Sequence, residues 1–248
     1  MDGSDLIYRR PVEVGTYDVD NDFHATPAGV SSMLDMAGMG HLKAIGYPMQ
    51  KMNENLSLGW ALSQRIIRLH RPIHLGHTYE AETIVTGRKR IFTFRDYRII
   101  DDQGQLCADS ASIWILFDLK NRSFVRDYPP FFQELIDRGN AMPHLQRPQK
   151  LRFTITDSDL ERYEVQVRQG HCDFLGHLSN YHHLRMIMDS LPISQVHELK
   201  TRAVNTTFVK EARLHDRLSF WVQQTGEGWL VEGRKGETVI SKTEIIST

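Results

Sequence analysis

The sequence predicts an α+β fold built twice, in which each half is an antiparallel sheet wrapped around a central helix. Each half begins with a strand, continues with one long helical pattern and ends with four strand-like segments. The first helix is expected from Pro27 to Ile45, with Gly46 ending it. The second is expected to begin near Asn180 and to end before Pro192. This repeated order of elements indicates a duplication.

The strands are predicted from short runs rich in apolar and β-branched residues. The two opening strands are expected around 11–20 and 163–172. The later strands are expected at 59–69, 79–87, 92–101 and 107–118, and then at 202–208, 217–224, 229–234 and 238–246. Residues 65–79 also overlay residues 205–219 without a gap at a constant offset of 140, which supports the duplication.

One turn occurs in both halves. Asp20 precedes His24 by four residues, and Asp173 precedes His177 by four, with the two copies 153 residues apart. The start of a helix follows each copy, signalled in the first half by Thr26 as N-cap. Only the second copy continues as Gly-His-Leu-Ser-Asn, so we expect the chemistry in the second half.

Composition and charge narrow the class of protein. The 248 residues carry a formal net charge of −1, unlike a protein that binds nucleic acid through bulk positive charge. No apolar run approaches the roughly 18 residues of a membrane span, and the acidic start at 1–5 is unlike a signal peptide. Cys107 and Cys172 form neither a disulfide framework nor a zinc set. We therefore expect a cytoplasmic protein with no nucleic-acid or membrane partner.

A proline-rich connector predicts how the chain divides. Residues 127–150 hold four of the nine prolines and a short amphipathic patch at 131–136, which is typical of a linker that packs. The expected domains are 1–128 for the N-terminal half, 129–150 for the packed linker and 151–248 for the C-terminal half.

Short motifs follow one another in a fixed order along nearly the whole chain. Those of the first half are a Trp-containing strand at 58–63, Arg-Asp-Tyr at 95–97, Gly-Gln at 104–105 and Ser-Ile-Trp at 112–114. The second half has Asp-Phe-Leu-Gly-His-Leu-Ser-Asn at 173–180 and Lys-Glu-Ala at 210–212. In this order and spacing the motifs resemble the acyl-ACP thioesterases of plants and bacteria. The resemblance implies a tandem (double) hot-dog fold with an acyl-binding first half and a catalytic second half.

The resemblance also implies the residues of the site. The family motif reads roughly D-x-N-x-H-V-N-N, followed later by R/K-E-C, and the catalytic positions fall on Asp173, His177 and Glu211. The implied substrate-binding positions are Leu175, Gly176 and Asn180.

This chain departs from the family motif at two positions. Leu175 stands where the family has an Asn that orients water or binds the thioester, and an apolar side chain cannot donate a hydrogen bond. Ala212 stands where many members have Cys, a thiol that a carboxylate-based mechanism does not require.

The implied reaction is hydrolysis of a fatty acyl thioester. Asp173 or Glu211 would activate water, His177 would carry a proton to the leaving thiolate, and the helix starting near Asn180 would stabilise the oxyanion. No metal or organic cofactor is required. The implied partner is acyl carrier protein, which is acidic, so a basic patch is expected at 88–90 or 147–152. Pairing of two chains into a homodimer is left open.

Other readings of the same residues stay open at this point. The fold also suits an acyl-CoA thioesterase, and Leu175 favours an acyl-binding or regulatory protein that has lost catalysis. Asp173 and Asn180 could simply hold the turn, with Asn180 as the N-cap. Cys172 is predicted to be a buried structural thiol, and His182 and His183, adjacent on a helix, are not expected to share a site.

Overall fold

The computed structural model describes residues 6–140, 144–159, 161–191 and 201–247. The chain forms two compact units. The first comprises Met1–Ser63 and His70–Pro148, and the second comprises Gln64–Leu69 and Gln149–Thr248. The short stretch Gln64–Leu69 therefore clusters with the C-terminal half, so the division does not fall at a single point in the sequence.

The first unit is a sheet packed on one long helix. Its strands and helices are β1 (Tyr8–Glu13), α1 (Pro27–Ala44), α2 (Met49–Leu56), β2 (Leu58–Leu69, continuing into the second unit), β3 (Thr78–Lys89), β4 (Phe92–Ile100), β5 (Leu106–Asp118), β6 (Ser123–Phe124) and α3 (Pro130–Gly139). The strand order is β1-β3-β4-β5-β2, with β6 beside β5. The predicted apolar face of α1 lies in the core, where Val30, Leu34 and Ala37 have no exposed surface.

The second unit repeats this arrangement. Its elements are β7 (Tyr163–Gln166), a 3₁₀ turn (Gln169–His171), α4 (Asn180–Asp189), β8 (Thr201–Phe208), β9 (Arg217–Thr225), β10 (Gly228–Lys235) and β11 (Thr238–Ser247). The strand order is β8-β11-β10-β9-β7, and Gln64–Arg68 at the end of β2 pairs antiparallel with β8. Helix α4 buries His183, Leu184 and Ile187. The predicted end of the second helix, at Pro192, lies outside the described residues.

The two opening strands differ from their prediction. β1 ends at Glu13, because Asp18 closes a turn by accepting the Gly15 N–H at 3.0 Å. β7 ends at Gln166, and the 3₁₀ turn follows it. An Asp side chain that bonds a nearby amide competes with the strand ladder, which accounts for the early end of β1. β7 ends where the backbone turns into the 3₁₀ segment. The other predicted strands lie within two residues of their observed limits.

The halves correspond at an offset of 139 residues between β2 and β3, so the predicted offset of 140 is wrong by one. Gly76 and His215 are both left-handed, with φ of 74° and 72°. Their amides donate to the carbonyls of Val14 and Val167, at 3.0 and 2.9 Å. The two residues thus occupy the same place in the two units. Sequence identity between the halves is too low for an ungapped overlay to detect such a slip.

This slip changes which residue corresponds to the candidate glutamate. At an offset of 139, Glu211 corresponds to Pro72 and not to Arg71. The correction matters because neighbouring residues of an extended segment face opposite ways.

The connector contributes a buried ionic contact to the first unit. Asp96 accepts the Leu145 N–H at 2.7 Å and a hydrogen bond from Arg147 Nη1 at 2.9 Å. Burial raises the pKa of Asp96, against the opposing effect of Leu145 and Arg147. Further along α3, Phe132 and Ile136 are 2% exposed and join the core cluster. Helix α3 and the segment 144–147 therefore pack on the unit that precedes them.

Within the described ranges, no helix combines the length and the apolar character that a membrane span needs.

Two buried histidines make stability depend on pH. Burial lowers the pKa of His183 to about 4, and burial together with Arg95 lowers that of His41 to about 3, from 6.5. Below pH 6.5 these two histidines are therefore protonated in the unfolded chain but remain neutral in the folded protein. Each histidine should lower the free energy of unfolding by about 1.4 kcal/mol per pH unit as pH falls from 6.5 towards its folded pKa.

We expect His183→Gln to reduce this dependence, because Gln cannot take up the proton but can still donate to Ser241. Urea unfolding at pH 6.5, 5.5 and 4.5 measures the slope for the native protein and the variant. Parallel slopes would contradict the assignment to His183.

Candidate active site

Asp173 builds the loop that carries the candidate histidine. Its Oδ1 accepts the N–H groups of Leu175 and His177, at 2.9 and 3.1 Å. Its own N–H donates to the His177 carbonyl at 2.8 Å, and Gly176 takes a φ of 74°. An Asp side chain that bonds amides two and four residues ahead closes a tight loop. Asp173 therefore determines where His177 stands.

The first unit contains the same loop, which confirms the prediction of one turn in two copies. Asp20 Oδ1 accepts the N–H groups of Asp22 and His24, both at 3.0 Å. The Asp20 N–H donates to the His24 carbonyl at 2.9 Å, and Phe23 takes a φ of 62°. Holding a turn is thus enough to account for an aspartate at this position in the first unit.

His177 and Glu211 meet because two backbone segments pair. His177 forms an isolated antiparallel bridge with Arg213, and the Leu178 N–H donates to the Ala212 carbonyl at 2.8 Å. The bridge brings His177 Nε2 to 3.2 Å from Glu211 Oε2. Their side chains are 26% and 48% exposed, so water can reach the pair.

Arg213 holds the other oxygen of Glu211. Arg213 Nη2 and Nε lie 2.5 and 3.1 Å from Glu211 Oε1. The Arg213 N–H donates to Asp216 Oδ2 at 2.9 Å, which fixes the backbone of this segment. A carboxylate with one oxygen bound by a guanidinium keeps a defined orientation. Glu211 therefore presents its second oxygen to His177.

Ser179, and not Asn180, caps helix α4. Ser179 Oγ accepts the His182 N–H at 3.2 Å, and the Ser179 N–H donates to the His171 carbonyl at 3.0 Å. Asn180 is the first helical residue, so its reading as the N-cap is wrong. The first N–H groups of a helix have no acceptor inside it. For the Asn180 N–H, no acceptor is found elsewhere in the described ranges either.

The first unit differs from the second by two prolines at the corresponding positions. Pro72 stands where the second unit has Glu211, so no carboxylate accompanies His24 at this place. Pro27 stands at the first helical position, which Asn180 occupies in the second unit. Proline has no backbone N–H. At these two described places a carboxylate and a backbone N–H therefore stand in the second unit and not in the first, which makes the second unit the candidate active site.

A family model described as the acyl-ACP thioesterase N-terminal domain matches residues 5–134, which is more than half of the chain. The chain belongs to the acyl-ACP thioesterase family. Members of this family are thioester hydrolases.

Known acyl-ACP thioesterases resemble the chain over most of its length. It is 26% identical over 200 residues to the chloroplastic acyl-[acyl-carrier-protein] hydrolase FATB1 of Cuphea viscosissima, covering 76% of this chain and 47% of that protein. The chain thus spans about half the length of this curated relative.

Solved structures of the family share the fold. An acyl-ACP thioesterase from Bacteroides thetaiotaomicron superposes with a TM-score of 0.87 at 21% identity, covering all of both chains. The 12:0-ACP thioesterase of Umbellularia californica gives a TM-score of 0.83 at 16% identity, covering 98% of this chain and 97% of that one. The predicted double hot-dog fold is confirmed.

In this thioesterase-family chain, Leu175 and Gly176 take part in the loop through their backbones. The Leu175 N–H is bound by Asp173, whereas its half-buried side chain offers no donor. A Cβ on Gly176 would meet nothing within 4 Å, so the glycine serves its positive φ and not a close approach. These contacts leave the substrate-binding role of both residues as a prediction.

The remaining cysteine and histidine candidates lie apart from one another. Cys172 is half-buried, not buried as predicted, and its Sγ lies 3.5 Å from the Arg168 carbonyl oxygen. His183 is buried against Ser241, with 2.9 Å between Nε2 and Oγ. Burial, followed by His171 and Arg185, lowers the pKa of His182. Among the described residues, no hydrogen bond joins the side chains of His182 and His183. That the two histidines do not share a site stays a prediction.

Sequence reasoning missed Arg213 and Ser179. Glu211 and Arg213 are two residues apart on an extended segment, a spacing that places side chains on one face. That spacing was a readable sign of the ion pair. Ser179 was visible as a serine directly before an apolar helical pattern, but the neighbouring Asn180 is an equally good cap by type.

The shared loop gives a matched test of the aspartate. We expect Asp173→Asn and Asp20→Asn to unfold like the native protein, because Asn Oδ1 can accept the same two amides. Asp173→Ala and Asp20→Ala should each lower the free energy of unfolding by about 1–3 kcal/mol, since two amides lose their acceptor. Urea unfolding of the four variants measures this. An Ala variant as stable as its Asn counterpart would show that the side chain does not hold the turn.

Proposed function

We propose that the chain hydrolyses the thioester of fatty acyl-[acyl carrier protein] and releases free fatty acid and the carrier during fatty acid biosynthesis. The observation that carries the proposal is the His177–Glu211 pair beside the start of α4, at 3.2 Å between Nε2 and Oε2. Family membership supplies the reaction class, and the names of the relatives supply acyl-ACP as the substrate class.

Glu211 is proposed as the general base. Its Oε2 takes a proton from water as the water oxygen attacks the carbonyl carbon, while Arg213 keeps Oε1 in place. The proton passes from Glu211 to His177, and when the C–S bond breaks His177 gives it to the leaving sulfur. Water has then supplied a hydroxyl to the acid and a proton to the thiol.

Asn180 is proposed to stabilise the oxyanion. Its N–H begins α4, where the dipole of the helix favours negative charge. Its side-chain amide is a second donor at the same position. In the first unit Pro27 offers neither group, which supports placing the reaction in the second unit.

Asp173 is proposed to act on His177 in two ways. Through Oδ1 it fixes the loop, and through its negative charge it favours the protonated imidazole that forms during the reaction. The first role is shared with Asp20, and the second belongs to the second unit because His177, unlike its counterpart His24, is paired with a carboxylate among the described residues.

We expect Glu211→Gln to lower the turnover number at least ~100-fold, because the base is lost while the shape is kept. Asp173→Asn should lower it at least ~10-fold through the lost charge. Asp20→Asn, which makes the same change in the other loop, should leave it unaltered. Steady-state hydrolysis of acyl-ACP and of acyl-CoA with the same acyl chain measures all three.

Near-native turnover by Glu211→Gln would remove Glu211 from the mechanism. A preference for acyl-CoA over acyl-ACP by the native protein would reject the carrier as substrate. Tight acyl-ACP binding without cleavage would point to an acyl-binding protein instead.

Leu175 allows a gain of function to be tested. We expect Leu175→Asn to raise the rate, because it supplies one polar contact to water or thioester, worth ~1–3 kcal/mol when buried, or roughly 5- to 150-fold. The loop should persist, since only the backbone of Leu175 takes part in it. Leu175→Ala is the control that shortens the side chain without adding a donor. Single-turnover hydrolysis that rises equally in both variants would assign the gain to space and not to the amide.

A further inference from the structure

A groove on the second unit combines apolar walls with cationic side chains. It has a volume of about 620 Å³, and its lining includes Phe153, Val209 and Val239 together with Lys150, Arg152 and Lys242. No carboxylate belongs to the described residues that line it. We call it the basic groove.

Buried ionic contacts hold one wall of the basic groove in place. Lys242 Nζ donates to the Phe153 carbonyl, and Arg234 Nη2 donates to the Ile155 carbonyl at 2.5 Å. The fully buried Glu232 carboxylate lies 3.5 Å from Lys242 and 2.5 Å from Arg234. These contacts therefore attach the segment that carries Lys150 and Arg152 to the sheet, and the groove is preformed in the absence of a partner.

The cations at the rim are available to a partner. Lys150 and Arg152 are exposed, and neither makes an ion pair with the residues that the structure describes. Arg147, which the sequence places in the same basic stretch, is instead bound to Asp96 and Thr86. In the other predicted patch, Arg88 bonds to the Arg126 carbonyl and packs over a ring.

The basic groove lies next to the proposed catalytic pair. Val209, which is 45% exposed, precedes Glu211 by two residues. Two residues of extended chain span at most about 7 Å. A partner seated in the groove would therefore lie close enough for a covalently attached arm to reach the proposed site.

Charge decides which partner fits. The chain as a whole has a net charge of −1, so it does not attract acidic proteins in general. A second groove of the same unit is lined by Asp157, Glu161 and Glu164, with Arg162, and would repel them. We propose that the basic groove docks the acidic surface of the acyl carrier protein through Lys150 and Arg152. This inference rests on the proposed function.

The test uses the full chain with Lys150→Glu and Arg152→Glu combined. Docking predicts at least a tenfold higher KM for acyl-ACP with an unchanged kcat, a difference of about 1.4 kcal/mol, and a weaker dependence on salt. Hydrolysis of the same acyl chain on pantetheine, which carries no protein surface, should not change. Lys89→Glu combined with Arg90→Glu, an equal change of charge in the other patch, should leave both substrates unaffected.

Binding of unacylated carrier protein, measured by calorimetry at low salt, separates docking from catalysis. The native chain and the Lys89/Arg90 variant should bind it equally, and the Lys150/Arg152 variant at least tenfold more weakly. Equal binding by all three, no binding by the native chain, or a loss confined to the Lys89/Arg90 variant would overturn the docking proposal. Failure to cleave any thioester, with this binding pattern intact, would reject the proposed function alone.

Discussion

The structure of both halves depends on one short-range interaction, in which an aspartate side chain bonds two amides ahead of it in the chain. In the second unit Asp173 Oδ1 holds the amides of Leu175 and His177, and Asp20 does the same in the first unit. The loop sets the direction from which the next helix starts and the side on which the histidine lies. The helix, the bridge to the β8–β9 turn and the contact with Glu211 all follow from that placement.

The same loop carries different neighbours in the two halves. In the first unit two prolines occupy the positions that Glu211 and Asn180 have in the second. The histidine there packs against another ring, with 4.8 Å between the ring centroids of His24 and His74. The two halves thus share the loop and differ in the groups that stand beside its histidine.

Much of this arrangement was readable in the sequence because it rests on local patterns. Alternating apolar runs predicted the later strands, and the Thr-Pro start predicted α1 from Pro27. Two kinds of feature could not be predicted from the sequence. Turns closed by a side chain, such as Asp18 on Gly15, shortened strands whose apolar pattern continued past them. The one-residue slip at Pro72 was invisible because it depends on which backbone positions are left-handed, here Gly76 and His215, and the apolar pattern of the strands does not record this.

The residues of the candidate site could also be predicted only in part. His177 and Glu211 could be named from a motif, but their contact depends on a long-range backbone bridge that no local pattern encodes. The sequence pattern could not decide whether Ser179 or the next residue, Asn180, caps the helix. Such choices are settled by tertiary hydrogen bonds, here the one from the Ser179 amide to the His171 carbonyl.

The prolines at positions 27 and 72 also bear on how reversible the specialisation of the first half is. A side chain that loses a polar group can be restored by one substitution, but the first half lacks a backbone donor and a carboxylate at once. A single substitution can therefore supply the first half with only one of the two groups, so two changes are needed to match the second half.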